Sequence, residues 1–275
     1  MIDRIRVKSG LVKDITSSAV EDLAPGLSYA KIQYNTNADK PMAVYILHAN
    51  LKENVTLVAS AAANGKDLNA KETVRKQTEY VKERGHQVLA AVNADFWRVN
   101  ANETDNTPMG QAYGAIYMDG EMIKDVTRTA SQYYFAAIKN DGSFLMGDKL
   151  ALLRASKDIK EALGARYLLV KDGKDVSGQI SNTDIAPRTS IGELDAHNVV
   201  FIVVDGRRPD HSQGVTMQEL GKIYEAIGVK TAVNLDGGGS STLILKEESN
   251  QLVLKNRPSD NTERNVANSW AIVKK

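Results

Sequence analysis

The run Val233-Asn234-Leu235-Asp236-Gly237-Gly238-Gly239-Ser240-Ser241-Thr242 constrains this chain more than any other. A stretch with the character of a buried strand ends in an amide and a carboxylate, then in three glycines, then in hydroxyls. Glycine loses more backbone freedom on folding than any other residue. Three in a row therefore belong where backbone approaches a ligand closely or turns through positive φ. Whatever the fold, it must present this strand end with charge, donors and acceptors gathered in one place.

Strand signals outnumber helix signals along the rest of the chain. Ala43 to Leu47 and Val55 to Val58 read as strands. Asp119-Gly120, Asn140-Asp141-Gly142 and Asp172-Gly173 each follow an apolar stretch and predict hairpin turns. Asn198 to Val204 is almost wholly apolar and predicts a central strand buried on both faces. Three helices are expected. Thr216-Met217-Gln218-Glu219 is a capping box that opens an apolar stripe of Met217, Leu220, Ile223, Tyr224 and Ile227, ended by Gly228. Asn69 to Arg84, stopped by Gly85, is the second; Lys157 to Leu163, stopped by Gly164, is the third. Two units rhyme: a helix, a glycine and an apolar strand lead into Val92-Asn93-Ala94-Asp95 and again into Val233-Asn234-Leu235-Asp236. In α/β sheets ligands sit beyond carboxyl ends of strands, which is where both tetrapeptides fall. Asn100 to Pro108 reads as a loop. The fold class expected is mixed α+β: a single domain with a large strand-rich sheet core and about three helices. Residues 1–40 are expected as a lead-in strand and loop, and 41–275 as the body of the domain.

Bulk properties exclude several functions. Hydrophobic residues are 42% of 275, charged residues 25%, and the formal net charge is +1. No basic excess points to nucleic acid, and no apolar run is long enough to span a bilayer. Cysteine is absent, which removes disulfides, thiolate metal sites and a thiol nucleophile. No apolar segment follows the charges at the amino terminus, so no signal peptide is expected there.

Polar segments cluster at element ends. Asn93-Ala94-Asp95-Phe96-Trp97 offers an amide, a carboxylate and aromatic rings; Pro187 to Gly192 offers Arg188 and Thr189; Asp205-Gly206-Arg207-Arg208 follows the most apolar strand; Glu263 to Asn268 offers Arg264 and Asn268. Each has an ordinary alternative, such as a turn for Asp205-Gly206 or a surface ion pair for Arg188. Together they predict one job. Asp95, Asp205 and Asp236 supply carboxylates. Arg188, Arg207 and Arg264 supply planar donors suited to phosphate or carboxylate. Gly238, Gly239 and Ser240 suit a backbone anion nest, and Asn93, Asn234 and Asn268 suit sugar hydroxyls. None of the four histidines shows ligand spacing.

In this order the segments resemble the phosphodiester glycosidase family. The resemblance spans roughly residues 40 to 273. It rests on Asn93-Ala94-Asp95-Phe96, Pro187 to Gly192, Asp205-Gly206-Arg207, Ser212-Gln213-Gly214, Asn234 to Thr242 and Glu263 to Asn268. The family usually has glycines where this chain has Ala94 and Asp95, and proline where it has Asn265. The resemblance implies hydrolysis of the anomeric C–O bond of a sugar-1-phosphodiester, of the N-acetylglucosamine-1-phospho type, with a phosphomonoester leaving. Asp236, Asp205 and Asp95 would be the catalytic carboxylates. Asn93, Arg188, Thr189, Gly206, Arg207, Gln213, Asn234, Gly237, Gly238, Gly239, Ser240, Ser241, Arg264 and Asn268 would bind substrate. No metal ligand is assigned, yet a divalent cation on the Asp cluster stays open, as does a glycan-binding module without turnover. Bacterial members imply a periplasmic or extracellular setting.

Overall fold

A computed structural model describes residues 1–100, 107–126 and 133–275. Most of the loop expected over Asn100 to Pro108 thus lies outside the described residues. In chain order the strands are β1 (Val12–Ala24), β2 (Leu27–Thr36), β3 (Pro41–Asn50), β4 (Val55–Ala61), β5 (Gln87–Asn93), β6 (Ile116–Met118), β7 (Glu121–Lys124), β8 (Tyr133–Lys139) and β9 (Phe144–Asp148). Next come β10 (Ile159–Lys171), β11 (Lys174–Asp175), β12 (Arg188–Asp195), β13 (Asn198–Val204), β14 (Thr231–Asn234), β15 (Leu243–Lys246), β16 (Leu252–Leu254) and β17 (Asn268–Lys274). The helices are α1 (Ile2–Lys8), α2 (Val74–Glu83), α3 (Lys149–Ala155) and α4 (Met217–Ile227).

Two sheets result. The larger runs β1-β2-β3-β13-β12-β14-β10-β6-β7, with β8, β9 and β11 attached beside β10. The smaller runs β16-β15-β5-β17-β4. Every pairing among the described strands is antiparallel. The fold is therefore α+β and strand-rich, and the carboxyl-end rule of parallel sheets does not explain where its polar strand ends meet.

Side-chain alternation builds the layers. In β13, Val199, Phe201 and Val203 face a core between the two sheets, while Val200, Ile202 and Val204 face α4. This accounts for the unbroken apolar run. In β17, Trp270 and Ile272 enter the inter-sheet core, and Ala271 and Val273 pack under α2. Helices thus cover the outer face of both sheets.

Several local expectations hold. Thr216 and Glu219 form the capping box, and Gly228 ends α4 at φ 91. Asp119 and Gly120 both take positive φ, as a type I′ turn requires. Helix α2 begins later than Asn69, at Val74, because Glu72 is already paired with Val266 and Thr73 caps the helix by accepting from the Lys76 amide.

The helix expected at Lys157 to Leu163 is instead the start of β10. Its residues pair with β8, and Leu163 and Ala165 face the inter-sheet core. The helix lies just before it, as α3, capped by Asp148. Residues 1–40, expected as a strand and loop, hold α1 and a long hairpin. Strand β2 pairs along β3, and Ile5 of α1 is buried in the α4 layer.

Glu161 of β10 bridges the sheets. One carboxyl oxygen accepts from the Ala59 amide at 3.0 Å and the other from the Asp119 amide at 3.2 Å. Burial pushes its pKa up to about 8 from the ordinary 4.5. Folding therefore favours the protonated form. Its contribution to stability is complete below about pH 4.5 and is lost as pH rises through about 8. Glu161→Gln, neutral throughout, is expected to lessen the fall in urea midpoint between pH 6 and 9; an unchanged slope would contradict this reading.

Candidate active site

The two rhyming strand ends meet. Strand β5 of the small sheet stops at Asn93 and β14 of the large sheet stops at Asn234. The Asn93 side chain donates to the Asp236 carbonyl at 2.6 Å, and the Asp236 amide donates to the Ala94 carbonyl at 2.7 Å. The Asn93 side-chain oxygen accepts from the Thr189 hydroxyl at 2.8 Å and the Thr242 amide at 3.0 Å. Asn268 adds a second clasp: its side-chain oxygen accepts from the Asp95 amide at 2.7 Å and its carbonyl from the Ala94 amide. Asn93, Thr189 and Asn268 are fully buried. Their polar atoms hold the junction together, away from solvent.

A cavity of about 230 Å³ opens above this junction, lined by Phe96, Trp97, Val99, Tyr113, Arg166, Asp236 and Arg264. A bridge between Trp97 and Ala112, with the Tyr113 amide donating to the Phe96 carbonyl, sets the aromatic walls. Asp236 is partly exposed at the cavity. Burial pushes its pKa up to about 7, against the Ser240 hydroxyl, the Gly237 amide and the Arg264 charge; the charge of Asp95 raises it further. Asp95 lies at 1% exposure. Burial pushes its pKa up to about 6, against the Gly114 amide and the charges of Lys124 and Arg166.

One Asp95 oxygen accepts from the Gly114 amide at 2.7 Å, and the other has no partner among the described residues. Asn234 Oδ1, Ser241 Oγ, Asn268 Nδ2 and Arg166 Nε are likewise buried and unpartnered. Native proteins leave few such groups, and five of the eleven among the described residues belong to this junction and its flanking strands.

The glycines serve close packing as well as any ligand. A Cβ on Gly237 would lie 2.7 Å from the Pro187 carbonyl, and one on Gly239 2.2 Å from an Arg264 nitrogen. Gly238 takes φ 61. The expected anion nest is largely spent: the Gly238 amide donates to Pro187, the Ser240 amide to Gly237 and the Ser241 amide to Gly238.

Of the other expected residues, Arg264 lines the cavity, and Asp205, Arg188, Gly206, Gln213 and Arg207 sit around it. Asp205 is buried and saturated. It accepts from Tyr45 at 2.9 Å, Asn256 at 3.0 Å and the Arg257 amide, and His211 lies 2.8 Å away. Arg188 donates to the Val215 and Asp184 carbonyls. Gly206 packs against Pro187 and Gly214, and the Gln213 carbonyl accepts from the Arg207 amide. Arg207 is exposed, with its guanidinium beside Gly238. Arg264 pairs with Asp260 at 2.6 Å and reaches Ser240 at 3.5 Å.

Arg166 and Tyr113 escaped sequence reasoning. The available signal was an arginine interrupting the mostly apolar stretch Ala162 to Val170. Among the described residues no group of three or more His, Cys, Asp or Glu is arranged to hold a metal ion, and no helix is long and apolar enough to cross a membrane.

These features define a two-sheet α+β protein with a carboxyl-bearing, aromatic-walled cleft where the sheets meet. The chain belongs to the phosphodiester glycosidase family, whose model matches residues 86–273. It is similar to the catalytic domain of zebrafish N-acetylglucosamine-1-phosphodiester alpha-N-acetylglucosaminidase, solved as auto-inhibited by its pro-peptide (TM-score 0.70, 18% identity, 94% of this chain and 89% of that one). A Burkholderia pseudomallei protein, named as a candidate exported protein, shares the fold (TM-score 0.62, 12% identity, 95% and 97%). In sequence it is 25% identical over 269 residues to the uncharacterized SPbeta prophage-derived protein YomE of Bacillus subtilis. That match covers 94% of this chain but 38% of the relative.

Gly164 and Gly114 cross beneath Asp95. A Cβ on Gly164 would lie 2.3 Å from an Asp95 oxygen and 2.6 Å from the Gly114 Cα. Gly164→Ala is expected to lower unfolding stability by about 1–3 kcal/mol, the usual scale of overpacking. Urea denaturation at wild-type stability would contradict the crossing.

Proposed function

We propose that the protein hydrolyses the anomeric C–O bond of a sugar-1-phosphodiester, of the N-acetylglucosamine-1-phospho type, releasing the sugar and a phosphomonoester. The observation that carries this reading is Asp236: a carboxyl with its pKa pushed up to about 7, facing a cavity walled by aromatic rings, two arginines and Val99. Aromatic rings offer an apolar face to a sugar while arginines offer donors to phosphate. Membership of the family supports the same chemistry.

Phosphate leaves far more readily than an alkoxide, so the leaving group needs little protonation. Stabilising its charge matters more. Arg264, held by Asp260 and Ser240, is one donor for that charge. Ionised Asp236 acts on the anomeric centre, as base for water or as nucleophile. Burial keeps Asp236 basic, and the charge of Asp95, one layer deeper, adds a smaller push in the same direction. Asn93, Thr189, Asn234 and Asn268 position the two strand ends. Asp205 has a positioning role, since its acceptors are already engaged. The setting is periplasmic or extracellular, on envelope glycans; the exported neighbour supports this.

Asp236→Asn is expected to abolish release of N-acetylglucosamine from a GlcNAc-1-phosphodiester while thermal melting is retained; wild-type turnover would sink the assignment. In the wild type, kcat/KM should rise with pH through about 7, because the active Asp236 is the ionised one. A fall over that range would make Asp236 an acid instead.

A further inference from the structure

We propose that Arg166, caged by aromatic rings and opening on the same cavity as Asp236, is the residue that grips the substrate phosphate; this rests on reading the cavity as a sugar-phosphate site. Arg166 lies in β10 opposite Asn234 of β14 on one side and Tyr133 of β8 on the other. Its partner Asn234 is the last residue of β14, two residues before Asp236 in the chain. The β10–β14 ladder slips between Arg166 and Leu168, and Tyr167 takes φ 64. A left-handed tyrosine inside a strand is rare and marks a bulge that re-aims its neighbours. Such strain persists where surrounding structure enforces it, often at ligand sites.

The guanidinium lies 4.9 Å from the Tyr167 ring, 5.8 Å from Tyr133, 5.9 Å from Tyr113 and 6.0 Å from Phe96. Rings hold the cation in place without neutralising it. Its Nε is buried with no partner, and no carboxylate pairs with it among the described residues. The other arginines near the junction differ. Arg188 is spent on backbone carbonyls, Arg264 lines the cavity but is already paired with Asp260, and Arg207 lies exposed beside Gly238, outside the cavity lining. Arg166 thus keeps a planar donor edge and a full charge for a ligand, and phosphate oxygens match that edge in pairs.

Calorimetric titration with inorganic phosphate tests this without turnover. Wild type is expected to bind, and Arg166→Gln to bind at least tenfold more weakly with its melting temperature retained. Arg166→Lys keeps the charge but loses the planar fork, and is expected to bind at least fivefold more weakly; it decides the matter if Arg166→Gln does not fold. No binding by wild type, or wild-type affinity in the folded variants, overturns the proposal. On a GlcNAc-1-phosphodiester, Arg166→Gln should lose about 100-fold in kcat/KM, the scale for removing one charge-stabilising donor. Phosphate binding through Arg166 without sugar release would support this proposal and overturn the glycosidase reading. Full turnover by Arg166→Gln would do the reverse.

Discussion

The side-chain amide of Asn93 joins the ends of two sheets, and the cleft exists because of that joint. Its nitrogen holds the Asp236 carbonyl, and its oxygen holds Thr189 and the chain after the glycines. Thr189 and Thr242 are fully buried, so replacing the amide with an apolar group would leave their donors unpaired at a net loss. Asn268 repeats the device one strand away, on Asp95. With the backbone so fixed, Asp236 has one place to point.

Two environments separate the three candidate carboxylates. Asp205 is ringed by a tyrosine hydroxyl, an amide side chain, a backbone amide and a histidine, which suits it to tying loops together. Asp95 and Asp236 have fewer compensating bonds and share low-dielectric surroundings, so both are pushed toward neutral pH. Carboxyls poised there are suited to exchanging protons during a reaction. Arginine chemistry divides in the same way: Arg188 is spent on backbone carbonyls, and Arg166 stays open to the cavity.

Much of this was legible in the chain. The capping box of α4, the I′ turn at Asp119-Gly120 and the doubly buried β13 are local features, set by residues within a few positions of one another. The Val-Asn-x-Asp rhyme also held meaning: the two copies bond to each other. Long-range facts were not legible. Gly164 looks like a helix stop, because its true reason, the crossing with Gly114 under Asp95, involves residues distant in sequence. The run after Asp236 looked like an anion nest, and the amides of Gly238, Ser240 and Ser241 instead bond the chain's own carbonyls. Arg166 was hidden for the same reason, since its aromatic cage is assembled from four separate stretches of chain.

Hydrolysis of a GlcNAc-1-phosphodiester in water enriched in heavy oxygen tests the central claim most directly. Attack at the anomeric carbon, assisted by Asp236, predicts the label in the released sugar and none in the phosphomonoester. Label in the phosphate would mean cleavage between phosphorus and oxygen, and would contradict the account.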